Sequence, residues 1–293
     1  RNANPDSEDG DWSAPRRLTE GIMMCKPTVL SDRTWLLPAS TWQATDYSAR
    51  AVASDNNGLC FEVIGGCNIV PEDHRNYDEH IFVEKKDGSI WMLVRTSYGI
   101  GESFSYDGGM TWSDLKPSSI KHPAARFFIR RLNYGNLLLV KHGPVGEQTG
   151  RSDLTAFVSK DDGKSWQGGL MLDERDGVSY PDGQQTPDGT IYITYDYSRM
   201  GRKMIYMTTF TEEDVLVGKD VSGKVRRRLV ISEGISVNPD KNLAGKPLVE
   251  DHAATVSGGE GVFTFEKGAK LFSDRNYNAL KIPEALEGAK FLR

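Results

Sequence analysis

Cysteine is scarce in this sequence of 293 residues: Cys25, Cys60 and Cys67 are the only three. Their odd number and lack of zinc spacing exclude a disulfide framework, leave at most one bridge, and favour buried thiols. Histidine is also sparse, with five residues and neither His-x-His nor His-Glu-x-x-His. The acids do not follow calcium-loop spacing, so no metal is expected. No glycine-rich phosphate cradle occurs, and no cofactor is expected. A basic excess is missing too: 36 Lys and Arg stand against 41 Asp and Glu, for a net charge of −5. That argues against nucleic acid as the main partner, while local basic pockets stay open. No apolar run approaches the roughly 18 residues of a spanning helix. No signal peptide is visible ahead of Arg1, so the chain reads as processed or truncated, and as secreted or periplasmic. Helical patterning is nearly absent. One short helix is expected at Thr211-Glu212-Glu213-Asp214-Val215-Leu216, with Thr211 as cap and acids in its first turn.

Turn and strand signals fill the space that helices leave. Thirty Gly, 13 Pro and 10% aromatic residues suit many short strands. The stretch Ser105-Tyr106-Asp107-Gly108-Gly109-Met110-Thr111-Trp112 is a hairpin corner. Its Asp bonds nearby backbone N–H groups, its Gly takes positive φ, and its Trp plugs into apolar packing. A second copy is Ser159-Lys160-Asp161-Asp162-Gly163-Lys164-Ser165-Trp166. A worn third copy has Ser54, Asn56 and Gly58, with Cys60-Phe61 in place of Thr-Trp, and Asp9-Gly10-Asp11-Trp12 resembles the tail of another.

Inner hairpins separate these corners. Ile81-Phe82-Val83-Glu84 turns at Asp87-Gly88 into Ile90–Val94. Phe127–Arg130 turns at Tyr134-Gly135 into Leu137–Val140, and the run after Tyr180 turns at Asp188-Gly189 into Ile191–Tyr195. Units of about 50 residues with four strands are propeller blades. Four such units are expected between about 22 and 232, with residues 217–260 otherwise irregular and a last inner strand at Val262-Phe263-Thr264-Phe265. The expected fold is therefore an all-β propeller forming one domain over 1–293. It has six blades with one or two N-terminal blades lacking, or five if residues 1–20 and 250–293 close the ring.

Aligning the three inner turns places Glu79, Arg126 and Tyr180 at equivalent starts of successive inner strands, and Arg95, His142 and Asp196 on the return strands. Such starts converge on one face of a propeller. A carboxylate, a guanidinium and a phenol are thereby aimed at one pocket. His80 lies beside Glu79, and Asp182 and Asp196 lie near the same mouth; His80 or His142 suits acid–base work on a uronic acid. The Trp residues read as structural plugs.

With these residues in view, the corner motif resembles the Asp-box, or BNR repeat, and the chain is similar to the sialidase superfamily of β-propellers. The resemblance implies a glycoside hydrolase that releases a terminal acidic sugar from a glycan. It implies a Glu leading an inner strand and an Arg about 15 residues later, which Glu79 and Arg95 match. It further implies an Arg just ahead of the following Asp-box, matched by Arg151-Ser152-Asp153-Leu154-Thr155, and a Tyr leading the next inner strand, matched by Tyr180. Arg grips a carboxylate with a bidentate fork. A Tyr paired with a Glu base avoids the repulsion that a carboxylate nucleophile would meet at an anionic sugar. Met24-Cys25-Lys26-Pro27, with Asp46 downstream, is the nearest match to the family's first Arg and acid/base Asp; it fits a later blade better, so both are expected upstream of Arg1. The Tyr context, Val178-Ser179-Tyr180-Pro181-Asp182-Gly183, departs from the family pattern. Two alternatives thus stand: a lyase or a glycosidase for another uronic or deoxy sugar, and a non-catalytic glycan-binding propeller.

Overall fold

The computed structural model describes residues 13–41, 48–233, 255–257 and 262–264. It divides into two compact units, Arg1–Glu233 and Gly234–Arg293. In the second unit, β18 (Thr255–Ser257) and β19 (Val262–Thr264) form an antiparallel pair. The expected strand at Val262 is thus present. Asp9-Gly10-Asp11-Trp12, Asp46 and Phe265 lie outside the described residues.

Among the described residues the first unit contains four antiparallel sheets, each a propeller blade. In blade 1 the innermost strand is split into β1 (Ile22–Met23) and β2 (Thr28–Val29); both pair with β3 (Trp35–Ser40), followed by β4 (Ala49–Ser54) and β5 (Glu62–Cys67). Blade 2 runs β6 (Arg75–Glu84), β7 (Ile90–Thr96), β8 (Gly99–Ser105) and β9 (Lys116–Pro117). Blade 3 runs β10 (Phe128–Arg131), β11 (Leu137–His142), β12 (Leu154–Ser159) and β13 (Gln167–Asp173). Blade 4 comprises β14 (Val178–Gln185), β15 (Ile191–Tyr197), β16 (Met204–Phe210) and β17 (Arg226–Ser232), with helix α1 (Glu212–Val217) before its last strand. In each blade the order in space is the order in sequence, an up-and-down meander.

In blades 2 and 3 the second strands are buried on both faces, as stacking between blades requires. Along β7, Ile90, Met92 and Val94 point into the core shared with blade 1, while Trp91 and Leu93 point into the core shared with blade 3. Along β11, Leu137 and Leu139 face blade 2, and Leu138 and Val140 face blade 4. The period of two lets one apolar run serve two interfaces.

The Asp-box corners join the third and fourth strands of their blades, at the outside. Asp107 accepts from the N–H groups of Met110 and Thr111, and Ser105 Oγ accepts from Gly109 N–H at 2.8 Å. Ser159 and Asp161 repeat this with Gly163 and Ser165. In the worn copy, Asn56 Oδ1 takes the role of the carboxylate toward Leu59 and Cys60. Trp112 packs on the core between blades 1 and 2, and Trp166 on that between blades 2 and 3. Gly163 has φ +88°, and a Cβ there would stand 2.6 Å from the Trp91 ring, so this corner requires glycine twice over.

Hydrogen bonds, chiefly from Thr111 to Asp107 and from Ser165 to Asp161, hold both carboxyls at a pKa of about 2. The unfolded value is about 3.9. The stabilisation is therefore complete above about pH 4 and lost as pH falls through about 2. Asp107→Asn with Asp161→Asn should flatten the fall in urea midpoint across that window. An unchanged slope would show that the corners contribute nothing to acid stability.

Two local expectations need correction. Residues 217–260 are not irregular throughout, because Arg226–Ser232 is the outer strand of blade 4. It is exposed along nearly all its length; Arg226-Arg227-Arg228 opens it and the short exposed apolar run Leu229-Val230-Ile231 follows, so the strand lacks the long alternating pattern that marks the other blades. All three cysteines are free thiols, but only Cys25 and Cys67 are buried; Cys60 is exposed because it occupies a turn position in the worn Asp-box. The helix starts as expected: Thr211 and Asp214 form a reciprocal capping box, and Gly218 closes it at φ 77°.

Candidate active site

The starts of the inner strands meet at one mouth of the propeller. Blade 2 contributes Glu79 from β6 and Arg95 from β7; both residues are 3% exposed. Blade 4 contributes Tyr180 from a bulge in β14 between Ser179 and Asp182, where the Tyr180 backbone is left-handed at φ 53°. A bulge re-aims the side chain that it carries. Tyr180 Oη donates to Glu79 Oε1 at 2.7 Å. Arg95 Nη1 donates to Glu79 Oε2 at 2.9 Å and to Tyr180 Oη at 3.2 Å. Phenol, carboxylate and guanidinium thus form a closed triangle across two blades, from residues separated by about a hundred positions.

Arg151 lies against the same phenol's backbone. It donates to Ser179 Oγ at 3.2 Å and to the carbonyl of Ala124 at 3.3 Å, both long contacts. No ion pair involves Arg151 among the described residues. Partial burial, followed by repulsion from Arg95, lowers its pKa. Arg151 is thus a half-buried guanidinium whose named hydrogen bonds are both long. Arg126 pairs with Asp182 at 2.6 Å and lies 5.9 Å from the centre of the Tyr180 ring.

Two more cations complete the mouth. Lys26 of blade 1 forms an ion pair with Asp182 at 3.0 Å and donates to the carbonyl of Gly183 at 2.8 Å, tying blade 1 to blade 4. Its signal was the match of Met24-Cys25-Lys26-Pro27 to the stretch of the family's first Arg, just ahead of β2. Arg199 stacks 4.1 Å over the Tyr180 ring and is held by Asp196 through Nε at 2.8 Å. It comes from the loop between β15 and β16, the counterpart of the loop between β11 and β12 that carries Arg151, but the two loops differ in length, so alignment on the inner turns did not find it. Five cations (Lys26, Arg95, Arg126, Arg151 and Arg199) face three carboxylates (Glu79, Asp182 and Asp196) at this mouth. Burial raises the pKa of Tyr180, as do its bond to Glu79 and that group's charge; Arg95 and Arg199 act in the opposite direction.

The two histidines are held in the blade packing instead. His80 Nε2 is 2.9 Å from the carbonyl of Arg50, and the ring meets Phe82 edge-on. His142 is fully buried; its Nε2 bonds the carbonyl of Val178 at 2.9 Å and its Nδ1 is 3.0 Å from His122 Nε2. Burial depresses the His142 pKa to about 4. Asp182 is near the mouth as expected, with Arg126 on one oxygen and Lys26 on the other. Below it, a cavity of about 180 Å³ follows the inner strands, lined by Lys26, Arg126, Ile81 and Phe128 among others. No group of three His, Cys, Asp or Glu among the described residues is placed to hold a metal ion. No helix among them is long and apolar enough to cross a membrane.

A family model for the BNR repeat-like domain matches residues 2–193. The chain belongs to the BNR repeat-like domain family. Among solved structures, this BNR-repeat chain is similar to a leech intramolecular trans-sialidase complexed with 2,7-anhydro-Neu5Ac, at 19% identity and a TM-score of 0.52. That match covers 64% of this chain and 30% of the leech enzyme, so the chain spans less than a third of that protein's length. It is also similar to an α-L-arabinanase of Penicillium chrysogenum complexed with arabinobiose, at 15% identity and a TM-score of 0.50, covering 83% of this chain and 74% of that one. At these identities the likeness establishes the propeller fold, one on which both an intramolecular trans-sialidase and an arabinanase are built. No curated protein matches the chain.

Proposed function

We propose that this chain is a glycoside hydrolase that releases a terminal acidic sugar, of the sialic acid kind, from a glycan. The observation that carries this reading is the 2.7 Å bond from Tyr180 Oη to Glu79 inside a ring of cations. Glu79 withdraws the phenolic proton, and Arg95 stabilises the phenolate as it develops. Tyr180 Oη then bonds to the anomeric carbon as the glycosidic C–O bond breaks. Water later displaces Tyr180; one water proton ends on the departed leaving-group oxygen through solvent, and the proton held by Glu79 returns to Tyr180. Arg151 and Arg95 receive the substrate carboxylate. Arg126 and Lys26 hold Asp182 and so fix the inner strands; Asp182 serves the architecture of the mouth. Neither His80 nor His142 has a chemical step in this scheme. A single sialidase-like domain acting outside the cytoplasm fits the reading.

None of the described carboxyls is assigned to protonate the leaving oxygen, and an aryl leaving group needs little such help. Aryl glycosides are therefore the substrates of choice. With the 4-methylumbelliferyl glycosides of N-acetylneuraminic acid and of α-L-arabinofuranose, kcat/KM should favour the acidic sugar by at least about a hundredfold, the scale set by one desolvated carboxylate–arginine pair. Preference for the neutral furanoside would overturn the substrate class. Binding of the acidic sugar without turnover would overturn the hydrolase in favour of a glycan-binding propeller.

A further inference from the structure

Beside the triangle lies an aromatic residue that the proposed chemistry does not use. Tyr77 belongs to a second bulge, in β6 between Arg75 and His80, and its backbone is left-handed at φ 65°. Blade 4 does the same with Tyr180, at φ 53°. For a bulky aromatic this conformation is uncommon and unfavourable, and such outliers gather at functional sites. Here it turns the ring toward the mouth. The Arg95 guanidinium lies 4.9 Å from the centre of the Tyr77 ring, yet the residue stays 49% exposed. Arg95 also donates to Tyr180 Oη, so one guanidinium separates the Tyr77 ring from the attacking oxygen.

We propose that Tyr77 is a stacking platform for the second sugar of the glycan, the one that becomes the leaving group. The inference rests on the acidic-sugar reading of the same mouth and adds that the substrate is an oligosaccharide. The acidic sugar occupies the cationic ring at Tyr180, and the next ring lies beyond Arg95. There the apolar C–H face of a pyranose meets the exposed ring, as aromatic side chains with a polar tip commonly do at wet binding surfaces. Arg95 on the other side fixes the tyrosine's plane through a cation–π contact. A Tyr77 that only shielded Arg95 would affect every ligand of the mouth equally.

Calorimetric titration separates these roles. The probes are 3′-sialyllactose and free N-acetylneuraminic acid, with Tyr180→Phe as the background so that nothing is consumed. Adding Tyr77→Ala should weaken the trisaccharide about tenfold or more and leave the monosaccharide within about twofold. Tyr77→Trp should keep the preference for the trisaccharide. Equal losses for both ligands, or no loss for either, would overturn the platform while leaving the acidic-sugar reading in place. Failure of the Tyr180→Phe protein to bind either probe would overturn that reading and the platform with it.

Discussion

Replacing Tyr180 by Phe should reduce turnover of an acidic aryl glycoside by at least about a thousandfold in kcat, with substrate affinity little changed. The substitution removes one oxygen and keeps the ring, so the stacked Arg199 and the neighbouring Arg126 retain their aromatic contact. It removes the atom that would bond to the anomeric carbon. It also removes one acceptor of Arg95, whose Nη1 keeps its bond to Glu79. Loss of kcat without loss of affinity is the pattern of an interaction made only on the reaction path. Circular dichroism and thermal midpoint should match the parent. A Phe variant that keeps a tenth or more of the activity would remove Tyr180 from the chemistry.

The second large effect is on stability. Glu79 and Arg95 form an ion pair with side chains 1% and 4% exposed. Breaking a buried pair by removing one partner leaves an uncompensated charge, at a cost of about 3–5 kcal/mol. Glu79→Ala should therefore lower the urea midpoint strongly as well as abolish turnover. Arg95 would retain only the phenol of Tyr180 and the face of Tyr77 as named partners. The double variant Glu79→Ala with Arg95→Met should recover a large part of the lost stability but none of the activity. The thermodynamic cycle from urea melts of the four proteins checks this. Additive losses would mean that solvent reaches the pair and that it contributes little.

The propeller was legible because its signals are local and repeated. Ser105 to Trp112 encodes its own turn, and Asn56 still performs the turn's hydrogen bonding where the motif is worn. Recurrence then set the register, and the register placed Glu79, Arg126 and Tyr180 at equivalent strand starts. What remained hidden has a common physical cause. Arg199 acts from a loop whose length differs from that of its counterparts in the other blades, and it is recognisable only once Asp196 and the Tyr180 ring are located in space. Lys26 reaches across the axis to Asp182, a contact between the first and fourth blades that no local pattern encodes. Tyr77 and Tyr180 owe their aim to irregularities that insert extra residues into β6 and β14, and such insertions shift register without changing composition. His80 and His142 looked chemical by proximity in sequence. Alternation along a strand sends neighbours to opposite faces, and His80 accordingly turns to blade 1 while Glu79 meets Tyr180. The edge strand Arg226–Ser232 was hidden because three arginines leave only Leu229-Val230-Ile231 as its apolar signal.

The claim that Tyr180 is the nucleophile is tested most directly by trapping the bond it forms. A fluorinated acidic sugar with a good leaving group, such as 2,3-difluoro-N-acetylneuraminic acid, slows hydrolysis of a glycosyl-enzyme more than its formation. Intact-mass spectrometry of the wild type after brief exposure should show one added sugar, and peptide mapping should place it on Tyr180. An adduct on Glu79 or Asp182, or turnover of the aryl sialoside with no adduct at any time, would contradict the account.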